Sequence, residues 1–254
     1  MNIVIFGELP LATKILQFLQ SFESINVPFV VCENYNAKNL DPWPETPMLY
    51  EYAASQNIPV IKLNELEAYC AKLSEKPVVG ITARFSRILK ENHLSVFENG
   101  IINLHGGLLP DFGGLYSVNH MLLSGNKIGG GSIHWIDLGI DTGALIKRCI
   151  CDIAAEDNAF SLHQKVQASL LDGLKSVVSE GLERGFDKIS HEVAPADAKP
   201  AYYSKGSLEG LREVAFSELG SEKALRTIRA FDFPGYEPAY TMIAGQKVFL
   251  RVTI

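Results

Sequence analysis

Two side chains suited to acyl transfer stand two positions apart in one short apolar segment. Asn103 and His105 belong to Ile101–His105, which reads as a buried strand, and side chains two apart on a strand share a face. A carboxylate, Asp141, follows later inside the glycine-flanked loop 139–143. An amide donor, a titratable ring and a carboxylate are together equipped to move an acyl group onto an amine.

Short apolar segments alternate with amphipathic ones over the first 184 residues. The apolar segments predict strands at Asn2–Gly7, Phe29–Cys32, Val60–Ile61, Val78–Ile81 and Ile101–His105. The amphipathic segments predict helices directly after the first strand, at about 47–56, 64–73 and 86–96, and at 160–183. This alternation is typical of an α/β fold with an open, mostly parallel, Rossmann-like sheet and helices on both faces. Ligands of such sheets bind at the carboxyl edge, where the Asn103 strand ends.

The remaining residues, 185–254, no longer show this alternation and are predicted to form a small C-terminal lobe beside a catalytic domain at 1–184. A helix is predicted at about 221–230. Two β-prone runs around Ala244-Gly245, at 241–250, predict a hairpin. An appended hairpin presents an unpaired edge and apolar side chains such as Val248 and Leu250, so a homodimer through this lobe is expected. A hairpin that folds back on its own subunit is the alternative.

Composition and charge exclude several classes of protein. The chain has 254 residues, of which 47% are hydrophobic and 20% charged, with a formal charge of −6. Beyond residue 184, nine Lys and Arg balance nine Asp and Glu, so no nucleic-acid partner is expected. The turn at 7–10 lacks the glycine-rich fingerprint of nicotinamide and flavin enzymes. Four cysteines show no metal or disulfide spacing, and no metal is expected.

Hydropathy and the N-terminal residues bear on location. No apolar run approaches the roughly 20 residues that span a bilayer. The segment Met1–Gly7 has neither a basic leader nor a small-residue cleavage site. A cytoplasmic protein without a membrane partner is therefore expected.

The context of the Asn-x-His pair resembles the folate-dependent formyltransferase superfamily. The segments that carry the resemblance are Asn103-Leu104-His105-Gly106-Gly107-Leu108-Leu109-Pro110, then Gly113-Gly114, then Ser132-Ile133-His134-Trp135-Ile136-Asp137 leading into Gly-Ile-Asp-Thr-Gly. The resemblance implies a catalytic triad of Asn103, His105 and Asp141 and N10-formyltetrahydrofolate as the formyl donor. His105 and Asn103 would hold the oxyanion, and Asp141 would orient the imidazole or relay the amine proton.

The resemblance also implies where the folate binds. The segment Arg84-Phe85-Ser86-Arg87-Ile88-Leu89 is similar to the family segment that wraps the pterin ring through backbone groups, and the loop from Asp137 to Asp141 would close the pocket. The residues predicted to bind the donor are Phe85, Arg87, Ile88, Leu89, Asp137, Leu138, Gly139 and Ile140. The alternative is that 86–89 begins a helix whose Ile88 and Leu89 belong to the core.

The acceptor site is predicted from glycines, aromatic residues and cations. Glycines 113 and 114 allow close approach of a substrate or simply form a turn. Tail aromatic residues either pack or stack on a base, with packing favoured for most, while Lys205, Arg226 or Arg229 would meet phosphates. The candidate acceptor-binding residues are Gly113, Gly114, Tyr116, His120, Tyr202, Tyr203, Lys205 and Tyr236.

The five histidines other than His105 lie outside the triad. His134 is either a structural residue or a partner of the triad, and the two alternatives stay open. His120 faces the acceptor or solvent, with solvent favoured. His93, His163 and His191 are predicted at the surface.

The tail is most similar to that of sugar N-formyltransferases, which act on nucleotide-linked amino sugars destined for surface glycans. The segments Ile228-Arg229-Ala230-Phe231 and Phe233-Pro234-Gly235-Tyr236 carry this resemblance, whereas Leu115-Tyr116-Ser117 departs from it. The implied acceptor is a dTDP-, UDP- or GDP-linked amino sugar. Methionyl-tRNA and phosphoribosylglycinamide formyltransferases are the alternatives, and a folate- or nucleotide-binding module without turnover is a third.

Overall fold

The computed structural model describes residues 1–252. Its strands are β1 Ile3–Gly7, β2 Val30–Val31, β3 Val60–Ile61, β4 Val79–Ala83, β5 Ile101–His105, β6 Gly113–Gly114, β7 Ile128–Trp135 and β8 Leu145–Asp152. Seven of these form one sheet in the order β3-β2-β1-β4-β5-β7-β8. The pairs from β3 to β5 are parallel, whereas β7 and β8 pair antiparallel. The predicted mostly parallel sheet is confirmed.

Helices cover both faces of this sheet. They are α1 Pro10–Leu19, α2 Leu49–Ser55, α3 Leu66–Cys70, α4 Glu91–Leu94, α5 Ser117–Leu123, α6 Ala159–Arg184 and α7 Glu222–Ala230. Alternate residues of β1 explain the two layers, since Ile3 and Ile5 belong to one hydrophobic cluster and Val4 and Phe6 to another. A central parallel strand buried on both faces must be apolar throughout, because successive side chains point to opposite sides.

The helix predicted at 86–96 is mostly wrong. Only Glu91–Leu94 is helical, and residues 84–90 form a loop. Arg84 has a φ of 55°, in the left-handed region that a helix does not use. Carboxylates then tether this loop to other strand ends: Ser86 donates to Glu8, and the guanidinium of Arg87 lies 3.3 Å from Glu33. Such contacts between distant segments carry no local sequence signal.

The tail, from residue 185 onward, packs on the preceding part of the chain. A short strand β9, Tyr202–Tyr203, pairs with β6, and α7 packs against α5. The tail's buried residues Leu208, Val214 and Phe231 belong to the same hydrophobic cluster as Ile3 and Ile5 of β1. Removing residues beyond 184 would therefore expose the core of the first domain as well.

A hairpin closes the tail, as predicted, with strands β10 Tyr240–Ile243 and β11 Gln246–Phe249. Its exposed apolar side chains are Met242, Ile243, Val248 and Phe249. Leu250, which was expected to need a partner surface, instead packs partly buried against its own subunit, and its backbone N–H donates to Ala239. No helix within residues 1–252 is long and apolar enough to cross a bilayer.

Candidate active site

The structure brings Asn103, His105 and Asp141 together at the carboxyl edge of the sheet. Asn103 and His105 lie on β5, and the loop between β7 and β8 delivers Asp141. Nδ1 of His105 lies 3.5 Å from Oδ2 of Asp141. Asp141 has a φ of 55°, and its carboxylate accepts a 2.7 Å hydrogen bond from the N–H of Gly114. A non-glycine residue held in this sparsely populated conformation is a frequent mark of a functional site.

The hydrogen bonds of His105 define which ring nitrogen is free. Nε2 lies 2.7 Å from the carbonyl oxygen of Phe112, which can only accept, so Nε2 carries the hydrogen. In the neutral ring Nδ1 is then the unprotonated nitrogen, and it faces Asp141. The ring is thus oriented to take up a proton at Nδ1, next to a carboxylate that stabilises the resulting imidazolium.

A separate chain of hydrogen bonds orients Asn103. Thr82, its neighbour in register on β4, donates from its hydroxyl to Oδ1 of Asn103 at 2.6 Å. Nδ2 of Asn103 lies 3.0 Å from Nε2 of His134, whose Nδ1 lies 2.8 Å from the carbonyl of Trp135 and so carries the hydrogen. Nε2 of His134 therefore accepts one amide hydrogen, and the second is free to bind a developing oxyanion. His134 thus orients Asn103, and the same Nε2 lies 3.6 Å from Oδ1 of Asp141.

Burial and charge determine the ionisation of the pair. Burial lowers the pKa of His105, against the opposing influence of the Asp141 charge. Burial disfavours the charged form of Asp141, but the positive charge that either neighbouring imidazole takes up on protonation and the N–H of Gly114 hold the pKa of its carboxyl below the ordinary value. At neutral pH the site therefore contains a neutral imidazole beside a carboxylate.

The predicted folate-binding residues divide between core and surface. Leu89 is buried, as the core alternative expected, whereas Phe85 packs edge-on against Phe6 and is half-buried. For Ile88 the core alternative is wrong. Ile88 is 73% exposed and Leu138 is 71% exposed. Ile140 is exposed, Arg87 pairs with Glu33, and Asp137 accepts hydrogen bonds within its own loop, from Gly139 and Thr142.

A cavity of about 500 Å³ opens on Asn103 and His105. Its lining comes from both parts of the chain: Arg84, Phe85, Gly114, Tyr116 and His163 precede residue 185, and Arg212, Phe231, Phe233, Tyr236 and Glu237 belong to the tail. Of the candidate acceptor residues, Gly114, Tyr116 and Tyr236 line this cavity. Tyr116, like Asp141, has a positive φ, of 60°.

Other candidate acceptor residues lie elsewhere. The ring of His120 is buried, with its centroid 3.6 Å from that of Tyr203, and Nε2 is 2.9 Å from the hydroxyl of Ser207. The expectation that His120 faces solvent is therefore wrong, and the pair packs the two lobes together. Gly113 and Tyr202 line a different cavity of about 450 Å³, on another side of Asp141.

The tail cations expected to meet phosphates do not reach the cavity. Arg226 and Arg229 line a separate cavity of about 280 Å³, where Arg229 donates to the backbone carbonyls of Asp157 and Ala154. Lys205 is exposed and lines none of these three cavities. Arg229 is thus held by the turn that precedes α6, and Arg226 lies 3.8 Å from Glu222 one turn earlier on α7.

Sequence reasoning missed Thr82, Arg84 and His163. Thr82 is a buried hydroxyl in an otherwise apolar strand, which is the signal that could have identified it. Arg84 follows directly at the strand end. His163, predicted at the surface, is buried beside Asp41 and Arg84, because α6 packs its first turns over the sheet edge.

An open α/β sheet with an amide, an imidazole and a carboxylate at its carboxyl edge is the arrangement of a formyltransferase. Residues 1–178 match the family model "Formyl transferase", and the chain belongs to this family. A methionyl-tRNA formyltransferase of Legionella pneumophila (strain Corby) is 30% identical over 209 residues, which are 80% of this chain and 62% of that protein. The chain thus spans about three fifths of the length of that curated relative.

Solved structures show the same fold over different lengths. A sugar N-formyltransferase from Shewanella sp FDAARGOS_354 has a TM-score of 0.72 at 19% identity, covering 100% of this chain and 97% of its own. The N-formyltransferase from Helicobacter canadensis, in complex with folinic acid and dTDP-3-aminofucose, has a TM-score of 0.74 at 23% identity, covering 97% and 85%. A phosphoribosylglycinamide formyltransferase from Bacillus halodurans has a TM-score of 0.59 at 23% identity, covering 74% and 99%.

Proposed function

We propose that this formyltransferase transfers the formyl group of N10-formyltetrahydrofolate to the primary amine of a nucleotide-linked amino sugar. The observation that carries the proposal is the cavity over Asn103 and His105, whose far wall is built by the tail. The likeness to sugar N-formyltransferases extends through this tail, whereas the likeness to the phosphoribosylglycinamide enzyme covers 74% of the chain.

The loops 85–89 and 137–141 are the proposed donor site. They present exposed apolar side chains, Ile88, Leu138 and Ile140, which suit the faces of a flat heteroaromatic ring. When bound, N10-formyltetrahydrofolate supplies an activated formyl carbon. The structure of the Helicobacter canadensis enzyme contains a related folate, folinic acid.

The residues of the triad divide the work of the reaction. As the acceptor nitrogen bonds to the formyl carbon, negative charge develops on the oxygen and positive charge on the nitrogen. The free amide hydrogen of Asn103 stabilises the oxygen. Nδ1 of His105 takes the proton of the attacking amine, and Asp141 stabilises the imidazolium, which then also offsets the charge on the oxygen. The carbonyl then re-forms as the bond from the formyl carbon to the folate nitrogen breaks, and the imidazolium of His105 gives its proton to that nitrogen.

The alternative acceptors fit the tail less well. A tRNA requires an extended basic surface, but the tail is neutral, and its Arg226 and Arg229 are engaged in packing. Phosphoribosylglycinamide would leave the aromatic wall of Phe233 and Tyr236 without a role. Only an activity assay distinguishes the enzyme from a binding module without turnover. The homodimer and the cytoplasmic location stay predictions.

Product analysis by mass spectrometry tests the proposal. The protein is incubated with N10-formyltetrahydrofolate and dTDP-, UDP- or GDP-linked sugars that carry the amine on C3 or C4. One of these sugars is expected to gain a formyl group, and a His105→Asn variant is expected not to produce it. Formylation of methionyl-tRNA or of glycinamide ribonucleotide, with no sugar formylated, would contradict the acceptor proposed here. Folate binding without any turnover would favour the binding module.

A further inference from the structure

Arg84 is fixed in the cavity by partners that no strand or helix pattern explains. It follows β4 with a φ of 55°, and its Nη1 lies 2.7 Å from Oδ1 of Asp41. The carboxylate of Asp41 is wholly buried and also accepts a 2.9 Å hydrogen bond from the N–H of Leu11. Burial opposes ionisation of Asp41, but His163, Arg84 and the Leu11 N–H together lower the pKa of its carboxyl. Arg84 therefore has a charged, immobile anchor.

The contact with Asp41 occupies one nitrogen of the Arg84 guanidinium and leaves the other two free to bind a ligand. Nη1 contacts Asp41 and lies 3.3 Å from the imidazole of His163. Burial lowers the pKa of His163, so this imidazole is neutral at neutral pH. Among residues 1–252, Nε and Nη2 of Arg84 have no hydrogen-bond partner. The side chain is 31% exposed and lines the cavity that opens on His105. An oriented guanidinium with free donors is suited to bind an oxyanion through two parallel hydrogen bonds.

The tail contributes a second cation to this cavity. Arg212 lies with its guanidinium carbon 4.8 Å from the ring centroid of Phe231, and its Nε donates to the carbonyl of Glu237. Arg84 and Arg212 are the Lys or Arg residues that line the cavity, and Glu237 is its single lining carboxylate. Asp41 and Glu237 balance the two positive charges, so what the cavity offers an anionic ligand is the N–H donors of two guanidinium groups that are unpaired among the described residues.

We propose that Arg84 and Arg212, one from each lobe, bind the diphosphate of the acceptor, and that Asp41 positions Arg84 for this contact. The inference rests on the proposed function and adds the residues that recognise the anion. A diphosphate offers oxygens on two linked phosphates, so it can engage two separate guanidinium groups at once. The amine end of the ligand then lies at His105 and the base lies against Phe233 and Tyr236, whose rings are 5.5 Å apart.

Binding measurements without turnover test this assignment. Calorimetry with dTDP, UDP and GDP, each compared with its nucleoside, is performed on the wild type and on Arg84→Gln, Arg212→Gln and Arg84→Lys. The nucleoside diphosphate that binds the wild type is expected to bind Arg84→Gln roughly 10- to 100-fold more weakly, as for loss of a charge-assisted hydrogen bond. Arg84→Lys keeps the charge without the fork, and an intermediate loss is expected. Affinity for the nucleoside should not change.

Two controls separate this effect from misfolding. Arg184→Gln changes an exposed arginine paired with Glu180 at the far end of α6, and it should bind like the wild type. Stabilisation to heat by 5-formyltetrahydrofolate should be the same in Arg84→Gln and the wild type, which shows an intact donor site. If Arg84→Gln fails to fold, Arg212→Gln provides the same comparison.

The outcomes separate this inference from the proposed function. Equal diphosphate affinity in the wild type and in both Gln variants overturns the inference even if sugars are formylated. Failure of all three nucleoside diphosphates to bind the wild type overturns it as well. Tight diphosphate binding that depends on both arginines supports it even where no sugar of the panel is formylated. In turnover, the variants should raise KM for the acceptor far more than they lower kcat.

Discussion

Replacing Asp141 by Asn tests the proposed division of work in the triad most directly. The substitution keeps the shape of the side chain and an oxygen that can accept the hydrogen bond from Gly114, but it removes the negative charge 3.5 Å from Nδ1 of His105. The folded structure should therefore persist while the imidazolium formed during the reaction loses its counter-ion.

The distance sets the magnitude of the effect. Two unit charges at this separation attract by about 5 kcal/mol at an effective dielectric constant of about 20. Only part of this energy is gained in the transition state, because proton transfer to His105 is incomplete there. A loss of about 3 to 4 kcal/mol corresponds to a kcat lowered roughly 100- to 1,000-fold. Asp172→Asn, at an exposed carboxylate paired with Lys175, is the matched control and should leave kcat unchanged.

The pH profile gives a second, independent readout. The Asp141 charge raises the pKa of His105, so its removal lowers that pKa further. His105 must be neutral to accept a proton, and its contribution is lost as the pH falls through its pKa. In Asp141→Asn the acid limb of kcat due to His105 should move to lower pH. Steady-state rates of folate product formation across pH measure both effects, and near-normal kcat with an unmoved profile refutes the assignment.

Four further changes test other parts of the molecule. Thr82→Val should lower kcat roughly 10-fold with little change in KM, because the amide of Asn103 loses its orienting hydrogen bond. Thr82→Ser keeps the hydroxyl and should have the kcat of the wild type. Equal kcat in the wild type and both variants would contradict this role of Thr82. Saturating 5-formyltetrahydrofolate should raise the melting temperature, and an unchanged value excludes the proposed donor. Val248→Asp or Phe249→Asp should convert a dimer into a monomer in light scattering, whereas a monomeric wild type refutes the dimer. Asp41→Asn should lower the free energy of unfolding by about 3 kcal/mol at neutral pH. Because the folded pKa of Asp41 is depressed, this difference should vanish as the pH falls below about 3.8, which urea titrations at several pH values can check.

Much of the fold follows from local patterns. The strand that carries Asn103 and His105 ends where it was predicted, at His105, and the long helix, the tail helix and the hairpin each begin and end within a few residues of the prediction. Hydrophobic periodicity is a local property, so elements that obey it are readable without coordinates. The meeting of Asn103 and His105 also follows from the period of two along a strand.

The surroundings of the site depend on contacts between distant segments. Residues 86–90 were predicted to begin a helix but belong to the loop 84–90, whose Arg84 and Arg87 are held by Asp41 and Glu33 from other loops. His163 was predicted at the surface although it shares the apolar stripe of α6 with Ala159 and Val166, and it is buried against Asp41 and Arg84 from distant loops. No window of sequence contains both partners of such a pair, and so no local pattern predicts it.

By itself the sequence determined the α/β architecture and the catalytic candidates, because both depend on residue type and on spacing along one element. Only the tertiary structure decided which nitrogen of His105 is free and which cations reach the acceptor cavity. Arg226 and Arg229 look as suitable in sequence as Arg84 and Arg212, but only the latter pair lines that cavity. The physical reason is that a charge acts on a ligand through its distance and orientation, and folding sets both.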